Sequence, residues 1–359
     1  MDTRLGRRGF GRLALAALAA QLLPAQAQTS VRRPYLADMH SHYGMFLPRL
    51  FGNDLPRHLA DNGVVLLAWA IVDDRRWIST GQGALRQVSE PRPGELWTYW
   101  NELRTEYEGK LRQWKLPLAR TPADIDSSLA GDPHVLFACE SANFLEGRPE
   151  RVAEAHALGV RQMQLVHYIH SPLGDHQTEE PRHGGLTSDG ARVVAECKRL
   201  GILLDLAHGT ASLVDAALAA SDAPMIWSHS WISPQGGTYA DAGYMARSLS
   251  EAQARKIAAR GGVIGLWCLR SGNDPRYPVN GKSAYADEIL RMCELVGPEH
   301  VGFGTDMEGV WPNRMMNDYG DLRDVVDNLL KRGLPEATLQ AVFVGNYARA
   351  VKAAMAAGT

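Results

Sequence analysis

Eight short, mostly apolar runs are spaced along the chain, and they limit its fold more than any other feature of the sequence. The runs are 35–40, 63–72, 134–140, 160–167, 201–208, 223–229, 261–269 and 300–306. Continuous apolar runs of this length are typical of strands buried on both faces of a parallel sheet. Helical patterns lie between several of them, at 95–114, 188–200, 210–220 and 250–260. Eight strand–helix units predict an α/β fold, a TIM-type (β/α)8 barrel.

A two-domain Rossmann-type arrangement is the structural alternative for a chain of 359 residues. No Gly-x-Gly-x-x-Gly motif follows the first run, which counts against that alternative. The 38 basic and 40 acidic side chains give a formal charge of −2. Because no cationic excess is available to neutralise phosphates, the composition argues against a nucleic-acid partner.

The first 27 residues resemble a twin-arginine export signal. Arg7 and Arg8 precede an apolar stretch of 11 residues from Leu13 to Leu23, and Ala25-Gln26-Ala27 follows as a small-x-small cleavage pattern. An uncleaved amphipathic or disordered tail is the alternative. We therefore expect cleavage near Ala27, a periplasmic or secreted protein, and one barrel domain over residues 28–359. No run reaches the roughly 20 apolar residues that a membrane span needs, so no transmembrane segment is expected in the mature chain.

Histidines and acids stand at the ends of six of the eight runs. They are His40 with His42, Glu140, His167, His208, His229 and Asp306. In a barrel the carboxyl ends of the strands meet at one mouth, so these side chains are expected to converge there. Imidazoles and carboxylates are the ligands that zinc and similar divalent ions prefer. One such residue alone would carry little weight, but six coincident strand ends predict a metal site.

The spacing of these residues suggests how two ions would be shared. His40 and His42 are two residues apart, so on a strand they face the same side and can bind one ion. His208 and His229, from neighbouring strands, can bind a second ion, and Glu140 can bridge the pair. Two adjacent ions can deprotonate one shared water at neutral pH, which predicts a hydrolytic site.

Five segments of the chain carry a more specific pattern. They are LVHYIH around His167, the stretch GLTSDGARVVAECKRLGILLDLAH that ends at His208, MIWSHS around His229, VGFGTDMEGV around Asp306, and GNYARAV at 345–351. In these segments the sequence resembles the membrane dipeptidase (renal dipeptidase) family of metallopeptidases, within the amidohydrolase superfamily. The resemblance extends over most of the chain that follows the predicted signal.

This resemblance implies a metal centre and its ligands. His40 matches the first metal histidine of the family, and Glu140, in ACESANF, matches the bridging glutamate. His208 and His229 match the two histidines of the second metal. The resemblance thus implies two divalent metal ions per chain, with zinc as the first choice.

The same resemblance implies how a substrate is bound and cleaved. His167 would contact it near the scissile carbonyl, and Asp306 would carry a proton from water to the leaving group. Arg247, in ARSLSEAQ, aligns with the arginine that grips the substrate carboxylate, although a surface position at a helix start is its alternative. The implied reaction is hydrolysis of dipeptides, with D-residues tolerated at the C-terminal position, and the family tendency is a homodimer.

The chain departs from the family at the first strand, where His40-Ser41-His42 stands in place of the usual His-x-Asp. A neutral ligand in place of an anionic one raises the charge of the site by about one unit, which affects metal affinity and preference. The segment from Trp231 to Met245 is also longer than the usual loop. Two other functions therefore stay open, hydrolysis of another amide, a lactone or an ester, and a catalytically inactive periplasmic binding protein.

Overall fold

The computed structural model of the chain describes residues 34–46, 54–81, 84–241, 243–270, 277, 279–310 and 313–358. Eight strands in this part of the chain form one sheet. They are β1 (Leu36–Ser41), β2 (Val64–Val72), β3 (His134–Glu140), β4 (Val160–Gln164), β5 (Leu203–Asp205), β6 (Met225–Ser230), β7 (Val263–Trp267) and β8 (Val301–Gly304). All neighbouring pairs are parallel, and their order in the sheet follows the chain.

The first and last strands meet at their carboxyl ends. The Asp306 amide donates to the His40 carbonyl at 2.8 Å, and the His42 amide donates to the Met307 carbonyl at 3.1 Å. These bonds bring the two edges of the sheet together and make a nearly closed barrel. The predicted TIM-type (β/α)8 fold is confirmed.

Three strands end earlier than the sequence pattern predicts. β4, β5 and β8 stop before His167, His208 and Asp306, which lie in the loops that follow. The backbone takes a positive φ of 69° at His208 and 49° at Asp306, and such a left-handed residue cannot continue an extended strand. The prediction that these residues end the strands themselves is therefore wrong by two or three positions.

Helices surround the sheet. They are α1 (Leu55–Asn62), α2 (Glu95–Trp114), α3 (Pro122–Ala130), α4 (Arg151–Ala157), α5 (Ser188–Leu200), α6 (Ala211–Ala220), α7 (Glu251–Ala259), α8 (Lys282–Val296), α9 (Tyr319–Lys331), α10 (Glu336–Gln340) and α11 (Asn346–Ala357). The four helices predicted from periodicity correspond to α2, α5, α6 and α7. Thr187, Thr210 and Ser250 begin the last three, because each side chain accepts a hydrogen bond from a backbone N–H in the first turn.

Shorter elements follow the strands at the carboxyl end of the barrel. After β2, strands Ile78–Gly81 and Ala84–Gln87 pair as an antiparallel hairpin, called the hairpin below. After β6, the two-residue strands Ile232–Ser233 and Leu249–Ser250 pair in parallel, and a 3₁₀ turn covers Gly243–Arg247. Loops at this end of a barrel usually carry the functional residues.

The opposite end of the barrel is filled by apolar packing. Small inward-facing strand residues such as Ala68 and Ala138 share a buried cluster with Tyr347 and Val351 of α11. The Tyr347 hydroxyl also donates to Gln162 Oε1 inside the sheet at 2.5 Å. A plug of this kind stabilises the barrel and leaves its carboxyl end for binding.

The export signal predicted at residues 1–27 lies outside the described residues. The described residues belong to one compact unit, Arg33–Thr359. Among them, no helix has both the length and the apolar character that crossing a membrane would require.

Candidate metal centre

Seven ligand-type side chains converge at the carboxyl end of the barrel. They are His40, His42, Glu140, His167, His208, His229 and Asp306, and each is at most 6% exposed. Every strand-end histidine and acid singled out in the sequence is thus brought to one place. We call this set the ligand cluster.

The Glu140 carboxylate lies in the middle of the cluster. Its Oε2 atom is 3.0 Å from His42 Nε2. Its Oε1 atom faces the Nε2 atoms of the other four histidines, at 3.3 Å from His40, 3.3 Å from His167, 3.2 Å from His208 and 3.6 Å from His229. One carboxylate whose two oxygens face different histidines is suited to bridge two cations.

The ligand atoms fall into three groups, each compact enough to hold an ion. The first group is His40, His42 and Asp306, the second is His40, Glu140 and His229, and the third is Glu140, His167 and His208. Within each group the ligand atoms lie within 4.8 Å of one another. The sequence prediction paired His40 with His42 and His208 with His229, and the Nε2 atoms of these pairs are 3.2 and 3.3 Å apart. Asp306 belongs to the first of the three groups and His167 to the third, so each is close enough to bind an ion together with its neighbours.

The donor chemistry of the cluster fits divalent cations. Imidazole nitrogens that face each other cannot all be satisfied by protons, because a neutral ring offers one donor and one lone pair. Asp306 Oδ1 is buried and makes no hydrogen bond with any described residue, although His42 Nε2 lies 3.1 Å away. Nitrogen and carboxylate donors directed at shared points are the arrangement that zinc and related ions require.

Interactions outside the cluster hold its histidines in place. The Ala70 carbonyl lies 2.8 Å from His42 Nδ1, and the Ser228 hydroxyl lies 2.8 Å from His229 Nδ1. Such contacts fix the ring orientation of metal-binding histidines and leave Nε2 for the ion.

Two buried acids brace the backbone beneath the cluster. Asp38 accepts hydrogen bonds from the His40 amide, the Thr305 amide and hydroxyl, and the Tyr319 hydroxyl. Burial raises the pKa of Asp38 to about 6, although these bonds oppose the rise. Asp205 accepts from the Ala207 and Ser228 amides at 3.0 Å and so ties β5 to β6.

Charge is distributed unevenly over the cluster. Burial lowers the pKa of His42, but the negative charges of Glu140 and Asp306 outweigh it and raise the pKa to about 10. By contrast, burial and the nearby positive charges hold the pKa values of His208 and His229 well below the ordinary range. These two rings are therefore neutral at physiological pH, which is the form that binds a metal.

Arg247 lies beside the cluster rather than on the surface. Its side chain is only 1% exposed, Nη2 is 3.2 Å from His229 Nε2, and Nη1 donates to the Tyr168 hydroxyl at 3.4 Å. The guanidinium carbon lies 5.0 Å from the Trp267 ring centroid. Its Nε atom has no hydrogen-bond partner among the described residues. A buried guanidinium with a free donor is suited to hold an anionic ligand.

A cavity of about 360 Å³ opens above the cluster. Its floor is polar, and its walls come from three sources. They are residues near the first two strands (Phe46, Val72 and Arg75), residues of the hairpin (Ile78, Ser79, Thr80 and Leu85), and residues from other loops and strand ends (Tyr168, Tyr244, Trp267 and Gly309). The volume suits a small molecule rather than a polymer.

Asp74 holds His167 in place and is absent from the residues that the sequence pattern singled out. Its carboxylate lies 2.8 Å from His167 Nδ1 and accepts the Tyr168 amide at 3.1 Å. Burial lowers the pKa of His167, but the charges of Asp74 and Glu140 raise it to about 10. Asp73 and Asp74 come directly after β2, so the strand-end criterion applied to the other strands would have found them.

Trp267, the last residue of β7, was also missed. Its indole Nε1 donates to Asp306 Oδ2 at 2.9 Å and so fixes the carboxylate in the cavity. A tryptophan inside an apolar run is usually a core residue, and the sequence offers no signal that separates the two roles.

A family model described as membrane dipeptidase, peptidase family M19, matches residues 107–359. This range covers more than half of the chain. The chain belongs to the membrane dipeptidase family. The matched range includes Glu140, His167, His208, His229 and Asp306, whereas His40 and His42 precede it.

Curated relatives of this family member carry the same type of name. Dipeptidase verJ of Clonostachys rogersoniana is 29% identical over 238 residues, which are 66% of this chain and 59% of that protein. Dipeptidase 3 of Homo sapiens is 26% identical over 221 residues, or 60% of this chain and 43% of that protein. The chain thus spans about half the length of the curated relatives that it matches.

Solved structures share the fold of this family member. A metallopeptidase from Rhodobacter sphaeroides, liganded with a phosphinate mimic of the dipeptide L-Ala-D-Ala, superposes with a TM-score of 0.74 and 21% identity, covering 90% of this chain and 100% of that one. The probable dipeptidase PvdM from Pseudomonas aeruginosa gives a TM-score of 0.73 and 16% identity, covering 91% and 96%.

Proposed function

We propose that the chain is a metal-dependent dipeptidase that uses two divalent ions, with zinc as the first choice. The observation that carries the proposal is the buried ligand cluster, which shares one small cavity with the guanidinium of Arg247, a group without an ion pair among the described residues. Metal ligands on one side and an anion site on the other suit a short substrate with a free carboxylate. Membership of the membrane dipeptidase family supports the same reading.

The ligand cluster divides between two ions in this proposal. His40 and His42 would hold the first, His208 and His229 the second, and Glu140 would bridge them. When bound, such ions polarise a carbonyl group and make water acidic enough to supply a nucleophile at neutral pH.

Arg247 would bind the C-terminal carboxylate of the dipeptide. Its guanidinium presents donors toward the cavity and makes no ion pair with any described carboxylate within 4.0 Å. A carboxylate held beside His229 places the preceding peptide bond over the cluster. The bound L-Ala-D-Ala mimic of the Rhodobacter sphaeroides protein supports a D-residue at this position.

His167 would stabilise the negative charge that develops on the substrate, and Asp306 would transfer the proton. His167, held through Nδ1 by Asp74, directs its Nε2 side into the cluster and can stabilise negative charge on the carbonyl oxygen. The Trp267 indole donates a hydrogen bond to Oδ2 of Asp306, which leaves Oδ1 available. Oδ1 would accept a proton from the attacking water and return it to the departing amine.

A substrate panel tests the proposal. The purified, zinc-loaded chain is assayed against L,L and L,D dipeptides, N-acetylated amino acids, esters and lactones. We expect cleavage of dipeptides with a free C-terminal carboxylate and a loss of at least about tenfold when that group is amidated, because one charge-assisted contact is removed. Turnover of lactones or esters alone would assign the chain to a different reaction on the same metal centre.

A further inference from the structure

Arg75 is a second guanidinium in the cavity, and it too lacks a carboxylate partner in the part of the chain that the structure describes. It follows Asp74 in the loop after β2 and lines the same cavity as Arg247. Its guanidinium carbon lies over the Phe46 ring, 4.3 Å from the centroid. Within the described residues, no carboxylate oxygen comes within 4.0 Å of its nitrogen atoms.

The acids of the cavity are already engaged elsewhere. Glu140 Oε2 lies 3.0 Å from His42 Nε2, and Asp306 Oδ2 accepts a hydrogen bond from Trp267 Nε1 at 2.9 Å. Asp74, the neighbour of Arg75 in sequence, contacts His167 and the Tyr168 amide instead. The cavity therefore presents two guanidiniums that no carboxylate of the described residues neutralises, and a ligand with two separated anionic groups would satisfy both.

The two guanidiniums lie at different ends of the ligand cluster. Arg247 Nη2 is 3.2 Å from His229. Arg75 lies on Phe46, and the Phe46 ring in turn stacks on His42 with 4.7 Å between centroids. A molecule anchored on Arg247 that extends across the cluster therefore reaches the Arg75 side with its far end.

We propose that the preferred substrates are dipeptides with an acidic N-terminal residue, whose side-chain carboxylate binds Arg75. This inference rests on the proposed function, in which Arg247 holds the C-terminal carboxylate. Ile78 and Leu85 of the hairpin offer apolar wall for the methylene groups of the acidic side chain, and the Ser79 and Thr80 side chains line the same wall. An acidic side chain at the C-terminal residue would instead stay near Arg247.

The test compares side chains of equal size that differ in charge. The ratio of kcat/KM is measured for Glu-Ala against Gln-Ala and for Ala-Glu against Ala-Gln. It is determined in the zinc-loaded wild type, in Arg75→Met and in Arg76→Met. Arg76 is the matched control, because it stacks on Tyr99 at 3.9 Å, pairs with Glu102 at 3.1 Å and does not line the cavity.

We expect the wild type and Arg76→Met to prefer Glu-Ala over Gln-Ala by about three- to fivefold, the most that a charge pair with an exposed guanidinium provides. Arg75→Met should bring the ratio close to one by slowing Glu-Ala, with Gln-Ala changed by less than about twofold. The preference should also shrink in high salt, because Arg75 is exposed and its charge is screened.

Three results would overturn the inference while leaving dipeptidase activity intact. They are equal cleavage of Glu-Ala and Gln-Ala, a preference that survives Arg75→Met, and an acid preference confined to Ala-Glu. Failure to cleave any dipeptide would overturn the proposed function, and this inference with it.

Discussion

Asp306 is the residue on which proton transfer depends in this account. One carboxylate oxygen is fixed by Trp267 Nε1 at 2.9 Å, and the other is buried and accepts no hydrogen bond from the residues that the structure describes. Asp306→Asn keeps the shape of the side chain but removes the basic oxygen. We expect turnover to fall by about 100- to 10,000-fold, the usual contribution of a general acid–base group. Metal content, measured on the same protein by mass spectrometry, should stay near that of the wild type; loss of metal would instead make Asp306 a required ligand.

Asp74 is expected to act through His167 rather than on the substrate. Asp74→Asn leaves the Tyr168 amide with an oxygen partner but weakens the contact to His167 Nδ1. Mutations at partners that orient a catalytic or ligand histidine typically cost about 10- to 100-fold. We therefore expect kcat to fall in that range with metal content and melting temperature little changed. An unchanged kcat would show that His167 is positioned by other contacts.

The buried ring of His176 makes the free energy of unfolding depend on pH in the acid range. It is 3% exposed, its Nε2 atom has no hydrogen bond among the described residues, and burial lowers its pKa from 6.5 to about 3. Between those values the unfolded chain binds the proton and the folded chain does not. Stability from this group is thus present above pH 6.5 and is lost as the pH falls toward 3.

His176→Gln removes this titration. The variant should lose stability less steeply than the wild type between pH 6.5 and 3, by up to about 1.4 kcal/mol per pH unit. Urea unfolding at a series of pH values measures the difference. Parallel curves for the two proteins would rule out this histidine as a source of acid sensitivity.

At the scale of single elements, helix starts hold the loops that carry ligands. Thr210 caps α6 by accepting the Leu213 amide, and it comes two residues after His208. Thr210→Ala should lower the free energy of unfolding by about 1 kcal/mol, whereas Thr210→Ser, which keeps the hydroxyl, should cost much less. Urea denaturation compares the two, and equal losses would mean that the methyl group of Thr210 matters rather than its cap.

Strand ends explain how much of the site the sequence could reveal. Parallel strands deliver whatever follows them to one mouth, so His42, Glu140 and His229 could be placed together without coordinates. The exact ends of β5 and β8 could not, because the left-handed turns at His208 and Asp306 leave no clear mark in an apolar run.

Two contacts of the site could not be predicted from the sequence, each for its own physical reason. Arg247 reaches the cluster only because the segment after β6 folds back through a 3₁₀ turn, and long loops lack the periodicity that predicts direction. Asp74 itself stands just after a strand, but its pairing with His167 joins residues 93 positions apart, which come together only once β2, β3 and β4 lie side by side in the sheet.

At the scale of the whole molecule, metal and fold should stabilise each other. The cluster concentrates five imidazoles and two carboxylates in a buried space. A ligand that binds only the folded state stabilises it by about 4 kcal/mol at 1,000 times its dissociation constant. The packing of α11 closes the other end of the barrel. Bound metal would therefore add stability at the end of the barrel that this apolar plug does not reach.

The most direct test of the metal centre is a titration of activity with zinc. The chain is stripped with a chelator, its folding is checked by circular dichroism, and hydrolysis of a dipeptide that the loaded enzyme cleaves is measured as zinc is added. We predict no turnover without metal and a rise that levels off near two ions per chain, accompanied by a higher melting temperature. Full turnover by the metal-free chain, or a folded chain that binds no divalent ion, would contradict the account.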